Sequence, residues 1–209
     1  SPDGLRLRHG LLETRSQTVP PGRVQAVRIV QPFLWRVFGW VRVDANLAGY
    51  AGRRANEGRQ HNSVLLPVGS RAQALVVLSR ALPGVDVDAI ELHRVPSRAK
   101  WRSPFRWFTL HAGSNADVFA VRSGVLTSVY ALMRHGKIQS VRLSVGPWQR
   151  ILGLATVELH STHGPVDIVA PDRDVAEARR ILDVEAALAR LGRADSGPER
   201  WMLAVPPAS

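Results

Sequence analysis

The chain contains no cysteine. That excludes a disulfide framework, a thiol nucleophile and every thiolate metal site. Lysine is nearly as scarce: only Lys100 and Lys137 occur, so 26 of the 28 basic residues are arginine. Acidic residues number 17, which leaves a formal net charge of +11. No apolar run approaches the roughly 20 residues that a membrane-spanning helix requires, and no signal peptide is visible. The chain opens at Ser1 rather than methionine, so a longer parent protein is expected. What is present is ordinary globular composition, 45% hydrophobic and 22% charged over 209 residues. That length can bury one large core or two small ones. The surplus charge is spread evenly, +6 over residues 1–95 and +5 over 96–209. Two basic folded bodies are therefore expected rather than a basic tail. Their field attracts acidic lipid headgroups, nucleic acid or acidic proteins without choosing among them.

The chain repeats itself. Shifted by 114 positions, residues 8–46 align without a gap on 122–160. Ten of the 39 pairs are identical, among them Gly10/Gly124, Val27/Val141, Arg28/Arg142, Arg36/Arg150, Gly39/Gly153 and Val43/Val157. Average composition would give about 2 or 3. Such self-similarity marks a duplicated unit.

Within the unit, alternation predicts strands at Leu5–Arg8 and Phe119–Arg122, then at Leu11–Val19 and Val125–Met133, with Gly10 and Gly124 at the hairpin turns. Pro20-Pro21-Gly22 and its counterpart Arg134-His135-Gly136 read as turns. In the following strands, Val24–Gln31 and Ile138–Val145, period-2 alternation turns Val27, Ile29, Val141, Leu143 and Val145 inward. Arg28 and Arg142 then face solvent. Pro32–Phe38 and Gly146–Leu152 read as short helical pieces ended by Gly39 and Gly153. Another strand follows in each copy. The first copy alone inserts the polar stretch Tyr50–Asn62 before Ser63–Val68, where the second turns at His163-Gly164-Pro165 into Val166–Ala170. Each unit closes with a helix, Arg71–Leu82 or Arg173–Leu191, with Ser70 and Asp172 as the expected N-caps.

These residues resemble a known family. The run Arg8-His9-Gly10-Leu11-Leu12, Thr18-Val19-Pro20, Arg23-Val24-Gln25-Ala26-Val27, Gln31-Pro32, Trp35-Arg36, Phe38-Gly39 and Val41-Arg42-Val43 is similar to the bacterial PH-like domain of the YdbS/YdbT group. The second copy keeps Arg122-Ser123-Gly124-Val125-Leu126-Thr127, Ile138-Gln139-Ser140-Val141, Gln149-Arg150 and Leu152-Gly153-Leu154, and departs at Arg134-His135-Gly136. The resemblance implies a mainly β fold with α: two tandem PH-like β-barrels, each closed by a C-terminal α-helix. It also implies a membrane-anchored parent, with this segment its soluble part on the cytoplasmic face of the cell membrane. The expected organisation is a first domain over 1–84, a linker over 85–105, a second domain over 106–192 and a tail over 193–209. Phe108–Ala112 reads as the first strand of the second copy. Its counterpart would precede Ser1, so the first barrel is expected to lack a strand. The tail segment Trp201–Val205 is a candidate to replace it.

For chemistry the sequence offers little. His160 and His163, with Asp167 beyond them, have spacing for a metal but read better as exposed turn histidines. Val68-Gly69-Ser70-Arg71 reads as a simple helix cap rather than an anion loop. No Gly-x-Ser-x-Gly elbow occurs. No catalytic residue, cofactor, metal or small-molecule substrate is expected, and the chain reads as non-enzymatic.

The unusual stretch is Lys100-Trp101-Arg102-Ser103-Pro104-Phe105-Arg106-Trp107-Phe108, four basic residues interleaved with four aromatics. Such a mixture suits a headgroup interface, where rings meet the apolar boundary and cations meet phosphate. It equally suits docking of the aromatics onto the domains. Candidate anion or headgroup contacts are therefore Lys100, Trp101, Arg102, Arg106 and Trp107, with Arg28, Arg36, Arg142 and Arg150 at equivalent places in the copies. Against that role, Arg36 and Arg150 could pair with Asp44 or Glu158. The expected function is a membrane-proximal binding or scaffolding module. The expected partner is an anionic membrane surface or a protein, a second copy included, and nucleic acid is the weakest candidate.

Overall fold

The computed structural model describes residues 5–9, 15–19, 23–48, 64–87, 89–161 and 166–195. The first copy supplies a hairpin, β1 (Leu5–His9) and β2 (Arg15–Val19), then β3 (Val24–Pro32), helix α1 (Phe33–Phe38), β4 (Trp40–Leu47), β5 (Val64–Ser70) and helix α2 (Arg71–Ala81). A connecting segment holds the two-residue β6 (His93–Arg94) and two 3-10 turns, Ser97–Trp101 and Trp107–Thr109. The second copy supplies β7 (His111–Ser114), β8 (Val118–Ser123), β9 (Thr127–Arg134), a 3-10 turn at His135–Lys137, β10 (Ser140–Ser144), helix α3 (Pro147–Leu152), β11 (Leu154–His160), β12 (Ile168–Asp174) and helix α4 (Val175–Asp195). The structural elements keep the 114-residue offset: β1 and β2 correspond to β8 and β9, β3 to β10, and α1 to α3.

Three sheets form, and among the described residues none closes on itself. They are β1-β2, β10-β11-β12, and a seven-stranded antiparallel sheet in the order β5-β4-β3-β9-β8-β7-β6. Two closed barrels were expected. Instead the second sheet of the first copy and the first sheet of the second copy are continuous. The junction is β3 against β9, from Ala26↔Met133 to Pro32↔Thr127. The seam leaves β3 no free edge, since β4 takes its other side.

The seam explains the burial pattern. Strands β8 and β9 are covered on both faces, so near-continuous apolar runs replace strict alternation. On one face Val118, Ala120 and Leu132 join Val27, Val43 and Leu78 under α2. On the other, Phe119, Val121, Ala131 and Met133 meet Val157, Ile168 and Ala178 of the second sheet and α4. Each copy's closing helix lies on its own three-stranded piece, α2 over β3–β5 and α4 over β10–β12.

Caps follow sequence chemistry with one exchange. Ser70 accepts from the Gln73 backbone N–H at 3.2 Å, and the Gln73 side chain accepts from the Ser70 N–H at 2.8 Å, a complete capping box for α2. For α4 the cap is Asp174, which accepts from Ala176 N–H at 2.8 Å. Asp172, the expected cap, stands two residues too early. It is fully buried with φ 59°. The 3-10 turn at Trp107–Thr109 also moves the start of β7 from the expected Phe108 to His111. Residues 49–63 and the Trp201–Val205 tail lie outside the described residues.

Candidate interface at one end of the shared sheet

The topology gathers several short elements at one end. β3 ends at Pro32 opposite Thr127, where β9 begins. β8 ends beside it, and Arg122 lies opposite His111 at the start of β7. The chain between β6 and β7 therefore leaves and re-enters at this same end. Helix α1 follows β3 here, and the turn between β8 and β9 lies alongside: Arg36 Nη2 donates to the Val125 carbonyl at 3.0 Å. Helix α3 is held against the linker. Arg98 Nε donates to the Leu152 carbonyl at 2.7 Å and its Nη2 to that of Gly153 at 3.2 Å, while the same guanidinium pairs with Asp174. That hydrogen bond from Arg98 is the chief reason the Asp174 carboxyl lies below its usual range.

Helices α1 and α3 are six residues each, too short to persist alone. Each is framed by the backbone. Pro32 precedes α1, Pro147 opens α3, and the left-handed Gly39 (φ 65°) and Gly153 (φ 63°) end them. The glycines turn the chain straight into β4 and β11. Between these fixed ends, α1 buries no residue and α3 buries only Gln149. Leu34 and Trp148 occupy equivalent positions, and are 72% and 71% exposed. Val37 and Ile151 are also equivalent, at 79% and 76%. Two copies with different side chains thus present apolar residues at the same places, each pair beside the equivalent arginine, Arg36 or Arg150. Leu126 on the β8–β9 turn is exposed to the same degree.

The linker divides its aromatics. Trp107 packs with Val95, Leu110, Leu152 and Leu154, and the Arg94 guanidinium lies 5.8 Å over its ring. Trp101 and Phe105 stay outward, with Lys100 Nζ 5.5 Å from the Trp101 ring. Arg102 reaches inward to the buried Asp172, which also accepts from Gln149 Nε2 at 2.9 Å and Ser103 Oγ at 3.1 Å. Asp172 therefore fastens the linker to α3 and β12. Sequence reading missed this node because it assigned the carboxylate to a cap; the available signal was Ser70, whose counterpart ahead of the closing helix is Asp174.

The arginine and acid pairs are distributed differently from the expected one. Asp44, nearly buried, accepts from Arg28 at 2.9 Å and from Arg42 at 2.7 Å. In the second copy Arg142 lies 3.9 Å from Glu158, both more exposed. The acids thus belong to Arg28 and Arg142, while Arg36 and Arg150 lie on the short helices away from them. Lys100, Arg106 and Arg150 are exposed, and this end carries a surplus of positive charge.

A groove of ≈ 370 Å³ enters the sheet from the same end. Its floor is the cross-strand row Arg122, Tyr130 and Ile29 and the cross-strand pair Ser128 and Gln31, with Val41 of β4 also lining it. Its walls are α2 and the loop bearing Val87 and Ile90. Arg71 and Arg122 add two more cations there.

Elsewhere the chemistry is structural. His135 is buried, its Nδ1 2.6 Å from Glu185 Oε2 and its Nε2 3.0 Å from the Asn115 carbonyl. Both ring nitrogens face acceptors, which the imidazolium satisfies with two N–H donors. Burial opposes that charge, but the hydrogen bond and charge of Glu185, with smaller help from Asn115 and Asp117, hold the His135 pKa above the ordinary 6.5. His160 is half exposed and lies 3.7 Å from Glu158, while His163 lies outside the described residues. Among the described residues no three His, Asp or Glu side chains gather as a metal site. No described helix is long and apolar enough to cross a membrane.

Comparison with protein families matches the bacterial PH domain twice, over residues 1–80 and 63–189. No curated protein and no solved structure matches the chain. With the duplication, the mainly β architecture and a family match to each copy in hand, the chain belongs to the bacterial PH domain family and carries that domain two times over.

Proposed function

We propose that the end of the molecule bearing α1, α3, the β8–β9 turn and the linker is a contact surface for an anionic membrane, and that the chain serves a larger bacterial membrane protein as a non-enzymatic binding module at its cytoplasmic face. PH domains are in general binding modules for lipids or proteins. The observation that carries the reading is the repetition of exposed apolar positions beside an arginine, Leu34, Val37 and Arg36 in one copy and Trp148, Ile151 and Arg150 in the other. Exposed apolar side chains at a backbone-framed turn can enter the acyl boundary, while guanidinium and ammonium groups beside them meet phosphate. Each such cation contributes about 1 kcal/mol near an anionic surface. Two weak wedges on one chain reinforce each other through effective concentration.

The test is vesicle co-sedimentation with phosphatidylglycerol-containing and pure phosphatidylcholine liposomes. The chain should prefer the anionic vesicles and dissociate as salt rises. The pairs Leu34→Ser with Val37→Ser, and Trp148→Ser with Ile151→Ser, should each lower affinity about tenfold or more, since a buried side chain of this size is worth about 1.5–3 kcal/mol. Equal binding to both vesicle types, or unchanged affinity in both double variants, would overturn the reading in favour of a protein partner.

A further inference from the structure

We infer that this chain assembles head to tail by strand addition, β10 of one molecule pairing with β2 of the next in the register that joins β3 to β9 inside the chain. Two of the sheet-end strands are related to the internal seam by the duplication. Among the described residues β10 pairs only with β11, and β2 only with β1. These edges are not arbitrary. By the 114-residue offset β10 is the copy of β3, and β2 is the copy of β9. The side of β2 left open therefore corresponds to the side of β9 that β3 occupies. The molecule contains one instance of this contact and carries the two halves of a second, unpaired with each other among the described residues.

The register transfers directly. Inside the chain Ala26, Val27, Arg28, Ile29 and Val30 oppose Met133, Leu132, Ala131, Tyr130 and Val129. Between molecules the same relation sets Ser140, Val141, Arg142, Leu143 and Ser144 against Val19, Thr18, Gln17, Ser16 and Arg15. No two like charges fall opposite each other, which a β ladder would penalise. The edge charge on β10 is no barrier, because its copy Arg28 sits within the paired ladder with Asp44 beside it, and Arg142 has Glu158 at 3.9 Å. An unpaired edge presents backbone donors and acceptors that a further strand satisfies. Since β10 and β2 are different surfaces, the contact is heterologous. It closes into a ring or continues as an open row.

A chain without cysteine makes the test clean. Arg142→Cys and Gln17→Cys are prepared separately, mixed in equal amounts and oxidised mildly. Directly opposed residues of an antiparallel ladder have Cα atoms about 4.5 or 5.5 Å apart, and both spacings suit a disulfide. The mixture should yield the mixed covalent dimer, and the doubly substituted chain a ladder of higher covalent oligomers. Arg142→Cys mixed with Thr18→Cys, one residue out of register, should yield several-fold less, because the slip turns the thiol to the opposite face. Unsubstituted protein should sediment faster as its concentration rises. Equal cross-linking in and out of register, dimers of Arg142→Cys alone, or a concentration-independent monomer would each overturn the inference. None of these readouts involves lipid, so their failure leaves the membrane reading standing, and the reverse holds.

Discussion

Strands β3 and β10 began as one strand. Their cores read Val-Arg-Ile and Val-Arg-Leu, each is followed by a six-residue helix and a left-handed glycine, and each lies under its copy's closing helix. Yet β3 runs nine residues between β4 and β9, and β10 runs five residues with one neighbour among the described strands. The first four residues of β3 are buried, whereas β10 has none fully buried. A side-chain pattern specifies which face of a strand turns inward. It does not specify which strand satisfies the backbone at its edge.

The comparison can be broken most severely at Asn46, which couples the copies. Its side chain donates to the Val166 carbonyl at 2.7 Å and accepts from the Val166 N–H at 2.8 Å, both bonds buried. Asn46→Ala orphans two backbone groups and should cost about 3–4 kcal/mol in urea unfolding. Its counterpart His160→Ala, half exposed, should stay within about 0.5 kcal/mol.

The next effect separates the copies by pH. The second copy has His135 where the first has Pro21, and the histidine is locked to Glu185. α4 can lie this close because Gly192 faces Gly136; a Cβ on Gly192 would come 2.6 Å from the Gly136 Cα. Glu185→Gln should destabilise by about 2–3 kcal/mol at low pH. Because the folded His135 pKa is raised, its stabilisation is complete below the unfolded value near 6.5 and disappears as pH climbs through the folded one. The gap between parent and variant should therefore narrow on the alkaline side. A gap that widened with pH would show that His135 is neutral.

Smaller still is the contrast of the arginine and acid pairs. Asp44→Asn leaves Arg28 and Arg42 without their carboxylate and should cost about 1–2 kcal/mol. Glu158→Gln removes the long, more exposed contacts to Arg142 and His160 and should register about 0.5 kcal/mol or less. Last, Gly39→Ala and Gly153→Ala should each cost about 1 kcal/mol, because φ near 65° strains any side chain even where no atom crowds it. A clear difference between these two would show that the short helices are not framed alike.

Much of the fold was legible in residues. The offset of 114 located the copies, and Ser70, Gly39 and Gly153 marked helix ends because capping is local chemistry. The inward faces of Val27, Ile29 and Leu143 followed from a period of two. The proposed contact surface was half legible: Arg36, Arg150 and the Trp101 segment stood out in the sequence, whereas nothing in it singled out Leu34 and Trp148, whose exposure depends on how the short helices sit. Asp172, Asn46 and Glu185 were illegible. Each is a buried polar group whose partner lies far along the chain, and such groups look like surface residues until something covers them.

By itself the sequence determined the duplication, the inward strand faces, the cap of α2 at Ser70 and the glycine ends of α1 and α3, since these depend on neighbours within a few residues and on alternation. The tertiary structure alone decided that β3 would pair with β9, that β8 and β9 would be buried on both faces, and that β10 would stay at an edge. Backbone hydrogen bonds between strands are nearly blind to side-chain identity, so their partners are settled only when the layers on either side pack.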